Sequence, residues 1–363
     1  AEALPKSILF WRSLTHWIGG MGIIVLVVAI MPLLRIGGYN LFKSETSGMT
    51  QEKLSPKTTS TAKRLWAVYV VLTFILIGLL LLGDMSFFDA INHAFSTMAT
   101  GGFSTKNTSV SGFSSYSQYV IAIFMFLAGM NFYLHYHFYK GRFKRVFSNI
   151  ELRTYFAVVV VVSLLITITV IAYDNRIGVG EALRNALFQV ISVITTTGFA
   201  THDYHDWPHA AWMLLFVLLF SGACVGSTGG GIKIIRHVVA YRHVLNYFKR
   251  TLHPNSVSLL KIGGEVIDDE KVGGLVSFML LYMLTFSVGT VLMVFLGSDL
   301  LTSAAAVASN MGGVGSGIGS VGAFGNYSAF SDASKILLSL LMLIGRLELT
   351  TVLILFTRIF WKG

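Results

Sequence analysis

Seven long apolar stretches constrain the fold of this chain more than any other feature of its sequence. A helix that crosses a bilayer needs about 20 mostly apolar residues, and each stretch approaches that length. Charged residues make up 12% of the 363 residues, against about 25% in soluble proteins. With a single cysteine, the pattern predicts an all-α integral membrane protein and excludes a soluble enzyme, a disordered chain and a disulfide scaffold. The stretches are 14–34, 65–83, 117–139, 153–173, 210–243, 274–297 and 334–358.

Three shorter apolar stretches lie between these spans, at 87–99, 181–194 and 299–310. Each is too short to cross a hydrocarbon core of about 30 Å. Each begins beside an acidic residue, which favours a helix N-terminus, and ends in a turn rich in glycine or threonine. A short helix followed by non-helical backbone between two spans predicts a re-entrant loop, which lines an aqueous path or is buried in protein.

The glycine turns recur at similar positions in the chain. Turn 1 is 99–103 (Ala-Thr-Gly-Gly-Phe), turn 2 is 196–200 (Thr-Thr-Gly-Phe-Ala) and turn 3 is 313–317 (Gly-Val-Gly-Ser-Gly). Their central glycines are predicted to be Gly101, Gly198 and Gly315, which are separated by 97 and 117 residues. Three matches in the same topological place indicate an internal repeat.

This repeat predicts the domain organisation. Residues 60–145, 150–250 and 270–363 each form a unit of span, pore helix, filter loop and span, and the units surround a central pore as in a potassium channel. Residues 1–38 are expected to form the second span of a truncated first unit, whose first span and filter turn would stand upstream of Ala1.

The turns have the composition of an ion-selective filter. Backbone carbonyls can replace the water shell of a dehydrated cation, and glycine allows the backbone to direct successive carbonyls toward one axis. No acidic residue occurs in the turns, which disfavours a divalent site. The alternative is that the turns are only packed connectors. The predicted ion-binding residues are Ala99, Thr100, Gly101, Gly102, Thr196, Thr197, Gly198, Phe199, Gly313, Val314 and Gly315.

The span 210–243 carries a run of glycines that a helix in lipid does not tolerate, since each glycine costs about 1 kcal/mol relative to alanine. We predict a loop here that closes the pore and moves on opening. The alternative is a glycine patch that packs two helices closely. A phosphate-binding loop is excluded because Ile232 separates the last glycine from the lysine. The predicted gate residues are Gly222, Gly226, Ser227, Thr228, Gly229, Gly230, Gly231 and Lys233.

Arg346 is a charge inside the last apolar span. A charged side chain at membrane depth is costly and usually faces a cavity or a partner. We therefore expect Arg346 to act with the gate as an electrostatic barrier in the pore. The alternative is a structural ion pair, for example with Glu348.

Several motifs together resemble the TrkH/TrkG/KtrB superfamily of potassium uptake proteins, over essentially the whole chain. They are the segment 10–22 (Phe-Trp-Arg-Ser-Leu-Thr-His-Trp-Ile-Gly-Gly-Met-Gly), turns 1 and 2, the run 226–233 (Gly-Ser-Thr-Gly-Gly-Gly-Ile-Lys) and the segment 345–348 (Gly-Arg-Leu-Glu). The last two favour the TrkH/TrkG branch. Turn 3 departs from the pattern, because relatives often have Asn-x-Gly-Pro-Gly-x-Gly there.

The resemblance implies four repeats around one pore, a homodimer with one pore per chain and a cytosolic nucleotide-binding regulatory ring of TrkA type. It also implies an arginine at the position of Arg346. The filter of the first repeat, which distinguishes potassium from sodium selectivity among relatives, is not contained in this chain.

Basic residues indicate the orientation. Most of the 27 lysines and arginines fall in the loops 35–64, 140–153 and 233–273, which the positive-inside rule places in the cytoplasm together with the C-terminus. The segment 253–273 is expected to be a cytoplasmic hairpin or loop on which a regulatory ring could dock.

The expected function is potassium uptake across the bacterial inner membrane through a selective, gated, channel-like pore. Potassium is then the substrate held at the filter residues, with rubidium or sodium as further transported ions, and neither a covalent cofactor nor a nucleic-acid partner is expected. The alternative is a secondary transporter that couples cation symport to sodium or protons. Nothing in the sequence favours an enzyme.

Overall fold

The computed structural model describes residues 1–21, 58–174, 176–254, 260–263, 265–347, 349–355 and 357–362. Most of the predicted first span, the greater part of the loop 35–64 and Glu348 lie outside these residues. The helices are α1 (Lys6–Gly20), α2 (Thr58–Leu81), α3 (Phe87–Met98), α4 (Ser115–Ala128), α5 (Phe132–Tyr139), α6 (Phe143–Phe147), α7 (Ile150–Tyr173), α8 (Val179–Ile194), α9 (His209–Leu218), α10 (Ile234–Leu252), α11 (Asp269–Phe295), α12 (Leu300–Gly312), α13 (Asp332–Arg346), α14 (Leu349–Ile354) and α15 (Arg358–Lys362), with 3-10 turns at Tyr204–Asp206 and Gly319–Val321.

Three of these helices, α2, α7 and α11, are long and apolar enough to cross a membrane. Only 28%, 33% and 28% of their most apolar windows are buried within the protein. Their other faces expose large apolar side chains, such as Phe74, Ile168 and Leu280, which suits contact with lipid. The prediction of an all-α membrane protein is confirmed.

The predicted span 117–139 is not one continuous helix. α4 ends at Ala128 and α5 begins at Phe132, and the two helices are bent by 101° relative to one another. The side chain of Asn131 accepts a hydrogen bond from the amide of Tyr133 and so caps the start of α5. The backbone groups in this break bond to a distant segment, so the sequence around the break did not reveal it.

The predicted break in the span 210–243 is confirmed, because α9 ends at Leu218 and α10 begins only at Ile234. We call the intervening residues 219–233 the glycine loop. The last predicted span, 334–358, is also interrupted, since α13 ends at Arg346. That interruption follows directly on the charged residue, and shorter helices continue the chain.

The three short helices α3, α8 and α12 lie where the sequence predicted them. The Ser86 hydroxyl accepts a hydrogen bond from the Asp89 amide (3.1 Å) at the start of α3. The Asp299 carboxylate accepts one from the Thr302 amide (2.9 Å) at the start of α12, so side chains satisfy orphan donors at both termini. α3 packs on α1 and α2, α8 on α7 and α4, and α12 on α11 and α13. The C-terminal ends of all three helices lead into the glycine turns.

A small hairpin follows α10. Its strands are β1 (Lys261–Ile262) and β2 (Glu265–Val266), paired antiparallel with Lys261 opposite Val266. The prediction of a hairpin or loop within 253–273 is thus confirmed as a hairpin. A separate apolar cluster supports this region and joins it to α10, α11 and the glycine loop; its buried members are Val225, Ile235, Val239, Leu260, Val272 and Leu275.

Candidate ion pathway: three turns and a glycine loop

The three turns adopt the same backbone conformation. In each turn two positions separated by one residue have a positive φ, a conformation that residues other than glycine adopt at a cost of about 1–2 kcal/mol. Threonine nevertheless occupies the earlier of these two positions in turns 1 and 2, so the surrounding structure enforces the shape. The angles are 51° at Thr100 and 70° at Gly102, 57° at Thr196 and 87° at Gly198, and 76° at Gly313 and 88° at Gly315.

This conformation corrects the predicted register of turn 1. The glycine that corresponds to Gly198 and Gly315 is Gly102, and the predicted match with Gly101 is wrong by one position. Turn 1 contains two adjacent glycines, but the shared pattern Gly-Phe-x-Thr at 102–105 and 198–201 also selects Gly102, and the φ angles agree with it. Gly101 instead corresponds to Thr197 and Val314.

The hydrogen bonds behind the turns repeat in the same register. The amides of Gly101, Thr197 and Val314 each donate to a carbonyl five residues earlier, at 2.8, 2.8 and 2.9 Å. By contrast, within the described residues no hydrogen bond reaches the carbonyl oxygens of Thr196 or Gly198. Buried carbonyls are rarely left without a partner. Water or a cation would satisfy these oxygens.

Three buried serines, which the sequence analysis missed, brace the turns. Ser96, Ser192 and Ser309 stand six residues before Gly102, Gly198 and Gly315, respectively, and are fully buried. The Ser96 hydroxyl accepts a hydrogen bond from the Phe103 amide (2.7 Å). The other two hydroxyls donate to the carbonyls of Phe199 (2.6 Å) and Ser316 (2.7 Å). The constant spacing of serine and glycine was the signal that could have identified them.

Adjacent turns are in backbone contact. A Cβ atom added to Gly102 would lie 1.9 Å from the carbonyl oxygen of Thr197, and one added to Gly198 would lie 2.2 Å from that of Val314. At Gly315, an added Cβ would meet nothing within 4 Å. Turn 1 therefore packs on turn 2 and turn 2 on turn 3, whereas the far side of turn 3 is open among the described residues.

Two tyrosines from the segments that follow turns 2 and 3 brace turn 3. The Tyr327 hydroxyl donates to the carbonyl of Gly315 (2.7 Å) and accepts from the Asn310 side chain (3.0 Å). The Tyr204 hydroxyl donates to the carbonyl of Gly317. Burial raises the pKa of both phenols, so both remain protonated donors at neutral pH.

The glycine loop folds back beneath the turns. The Gly222 amide donates to the carbonyl of Ile232 (2.6 Å), which closes the loop at its base. The amide of Gly230 donates to the hydroxyl of Thr196 (2.6 Å), in turn 2. A Cβ atom added to Gly230 would lie 2.5 Å from the carbonyl oxygen of Gly312. Glycine is thus required for the close approach of this loop to the turns.

A cavity of about 320 Å³ separates the turns from the glycine loop. It brings together eight of the predicted site residues with parts of α1 and α13. Predicted residues Gly198, Val314 and Gly315 do not line it, nor does Phe199, whose ring is buried and lies 5.9 Å from that of His93. The predicted residues that line the cavity are Ala99, Thr100, Gly101, Thr196, Thr228, Gly230, Gly313 and Arg346.

Two positively charged side chains bond to carbonyls of the glycine loop, and one of them, Arg346, lines the cavity. Arg346 lies on the cavity wall, and its Nη1 is 3.5 Å from the carbonyl oxygen of Thr228. Lys233 donates from its ammonium group to the carbonyl of Gly229. The predicted alternative, an ion pair of Arg346 with Glu348, falls outside the described residues. The positive charge of Arg346 thus faces this cavity.

Comparisons with known proteins agree with this architecture. A family model described as "TrkH: Cation transport protein" matches residues 1–362. The Trk system potassium uptake protein TrkH of Salmonella typhimurium is 37% identical over 99% of this chain and 75% of its own length. The TrkG protein of Escherichia coli is 34% identical over 100% of this chain and 75% of its own length. The crystal structure of the potassium transporter TrkH from Vibrio parahaemolyticus superposes with a TM-score of 0.86 at 36% identity, covering 99% of this chain and 74% of that one.

Proposed function

The chain belongs to the TrkH family of cation transport proteins, and we propose on this premise that it takes up potassium through a selective pore with a movable gate. It is a multi-pass protein of the bacterial inner membrane. The three turns form the selective part of the pore, and the glycine loop together with Arg346 controls passage below them.

The observation that carries this proposal is the common conformation of the three turns. Each is held from behind by its amides and a buried serine. The carbonyl oxygens of Thr196 and Gly198 accept no hydrogen bond from the described residues, so they are available to a cation. Oxygens held in this way can replace the hydration shell of a potassium ion. Helices α3, α8 and α12 point their C-termini toward the turns, and the negative end of the helix dipole favours a cation there.

Gating is supported by the position of the glycine loop. The loop lies across the cavity directly beneath the turns, with Gly230 bonded to Thr196. Arg346 adds a positive charge to the same wall, which opposes the passage of a cation. Displacement of the loop would remove both the obstruction and the contact of Arg346 with Thr228.

The orientation and the partners form the remaining part of the proposal. The loops 140–153 and 233–273 and the C-terminus face the cytoplasm, as the excess of basic residues there indicates. The protein acts as a homodimer, and a TrkA-like nucleotide-binding ring docks on the cytoplasmic side near the β1–β2 hairpin.

Cation flux into liposomes tests the proposal. The protein should pass potassium and rubidium well above sodium. Gly198→Ala places a methyl group against a backbone carbonyl at 2.2 Å, so selective flux should be lost. The matched control is Gly141→Ala, which has a similar positive φ of 70° but open space around the added methyl group. Unchanged selectivity in Gly198→Ala, or an equal loss in Gly141→Ala, would contradict the filter assignment.

A further inference from the structure

The glycine loop docks on the break between α4 and α5. The Cys224 amide donates to the carbonyl of Gly129 (3.0 Å), and the Phe132 amide donates to the carbonyl of Gly226 (3.0 Å). Thr228 approaches the carbonyl of Ala128 with its amide (3.4 Å) and its hydroxyl (3.3 Å). The two interrupted spans thus provide hydrogen-bond partners for some of each other's free backbone N–H and C=O groups. Such groups need protein partners inside a membrane, because lipid offers none.

Glu151 joins this contact from a third element. It lies in the first turn of α7, and only 5% of its surface is exposed. Its Oε1 atom accepts hydrogen bonds from the amides of Val225 (2.8 Å) and Ile235 (3.3 Å). Val225 belongs to the glycine loop and Ile235 to the first turn of α10. One carboxylate oxygen therefore ties the middle of the loop to the helix that follows it.

Capping of its own helix does not explain Glu151. The start of α7 is capped by Asn149, whose side chain accepts a hydrogen bond from the amide of Leu152 (2.9 Å). The Glu151 carboxylate instead faces the N-terminus of α10, where free amides and the positive end of the helix dipole stabilise an anion. A buried carboxylate is costly without such partners.

We propose that Glu151 is the positioning residue that holds the glycine loop closed, by accepting the amides of Val225 and Ile235 at one oxygen. The expected effect of Glu151 on ion flux rests on the proposed gating role of the loop. The expected effect of Glu151 on the docking of the loop is independent of that role, and docking and flux can be measured separately.

Cys224 provides the separate measurement. It is the only cysteine of the chain and lies in the glycine loop with none of its surface exposed. The rate at which N-ethylmaleimide modifies Cys224 in proteoliposomes therefore reports how often the loop leaves its docked position. Potassium flux is measured on the same preparations of the full-length protein.

Three variants separate the possible roles of the side chain. Glu151→Ala removes the acceptor of two buried amides and should raise the labelling rate about tenfold or more. Glu151→Gln keeps an acceptor oxygen at the same reach and should restore most of the slow labelling. Glu151→Asp withdraws the carboxylate by one methylene group while keeping its charge, and should label faster than Glu151→Gln. If Glu151→Ala fails to fold, the comparison of Glu151→Gln with Glu151→Asp still tests the proposal.

The matched control is Glu181→Ala. Glu181 is also a glutamate in the first turn of a helix, α8, but its side chain is 60% exposed and pairs only with Arg184 at 3.8 Å. The rate at which Cys224 is labelled in Glu181→Ala should equal the rate in the wild type. Labelling that stays slow in Glu151→Ala and Glu151→Asp, or that rises equally in Glu181→Ala, would overturn the proposal.

Flux then distinguishes this proposal from the gating role. Faster labelling with faster potassium flux supports both. Faster labelling with unchanged flux supports the positioning role of Glu151 and rejects the glycine loop as the gate. Faster flux with unchanged labelling overturns the proposal, because the effect would then arise without release of the loop.

Discussion

Turn 2 and the glycine loop are both glycine-rich backbone between helices, but they differ in whether their central carbonyls accept hydrogen bonds. In turn 2 the carbonyls of Thr196 and Gly198 accept no hydrogen bond within the described residues. In the loop the carbonyls are occupied: that of Gly226 accepts the Phe132 amide, and that of Gly229 accepts the Lys233 ammonium. Free carbonyls suit ion binding, whereas occupied carbonyls suit a segment that is docked and can be released.

The two regions also differ in what surrounds them. The turns follow directly from buried helices and contact one another through backbone atoms, so a small displacement of one turn disturbs the next. The loop is held by a few bonds to the α4–α5 break and to Glu151. Glycine content alone therefore does not distinguish a selective turn from a gating loop. The hydrogen-bond partners of the backbone groups distinguish them.

The largest expected effect is at the contact between turns 1 and 2. Gly102→Ala would place a methyl group 1.9 Å from the carbonyl oxygen of Thr197, and the turns cannot separate without losing their shape. Potassium flux should fall at least about a hundredfold, because overpacking and positive-φ strain together cost about 3 kcal/mol or more. Flux assays in proteoliposomes would measure it.

Gly315→Ala is the comparison for that variant within the same set of turns. Its φ of 88° imposes strain, but an added Cβ meets nothing within 4 Å. When both variants are assayed in the chain of 363 residues, the loss of flux should be clearly smaller in Gly315→Ala than in Gly102→Ala. Equal losses at the two positions would show that backbone contact between turns is not what the glycines provide.

An intermediate effect is expected on the gate side. Arg346→Gln removes the positive charge from the cavity wall and should raise potassium flux about tenfold, with the ratio of potassium to sodium flux unchanged. Arg358→Gln is the control, since Arg358 is exposed and does not line the cavity. A change in the ratio rather than the rate would move Arg346 from the gate to the selective part of the pore.

A smaller effect is expected from the serines. Ser192→Ala removes the hydroxyl bonded to the Phe199 carbonyl at 2.6 Å, which is worth about 1 kcal/mol. The ratio of potassium to sodium flux should fall several-fold while total flux persists. Ser163→Ala is the control, because Ser163 is equally buried but its hydroxyl has no partner among the described residues. A loss of selectivity in both variants would show that the loss arises from general loosening of the packing and not from the hydrogen bond of Ser192 to turn 2.

Much of the helical architecture was predictable because its signals are local. Apolar length placed the long helices, and an acidic or capping residue before a short apolar run placed α3, α8 and α12. The glycines at 226 and 229–231 predicted the break in the fifth span correctly, since a helix in lipid cannot accommodate them.

The remaining features depend on contacts between distant segments. Gly129 stands alone in an apolar run, and only the docking of Cys224 and Gly226 shows why the helix breaks there. Glu151 lies at the edge of a span and gave no signal until its amide partners were seen. The register of turn 1, by contrast, was available from the shared pattern Gly-Phe-x-Thr at 102–105 and 198–201. The domain boundaries, the oligomeric state and the docking of a regulatory ring stay predictions.

The most direct test of the division between turns and loop is the deletion of residues 226–231, followed by parallel measurement of potassium, rubidium and sodium flux. Our account predicts faster potassium and rubidium flux with the same preference over sodium, because the turns remain braced when the loop is shortened. Loss of that preference would contradict the account, since the loop would then belong to the selective site. Unchanged flux would contradict it equally, since the loop would then not control passage.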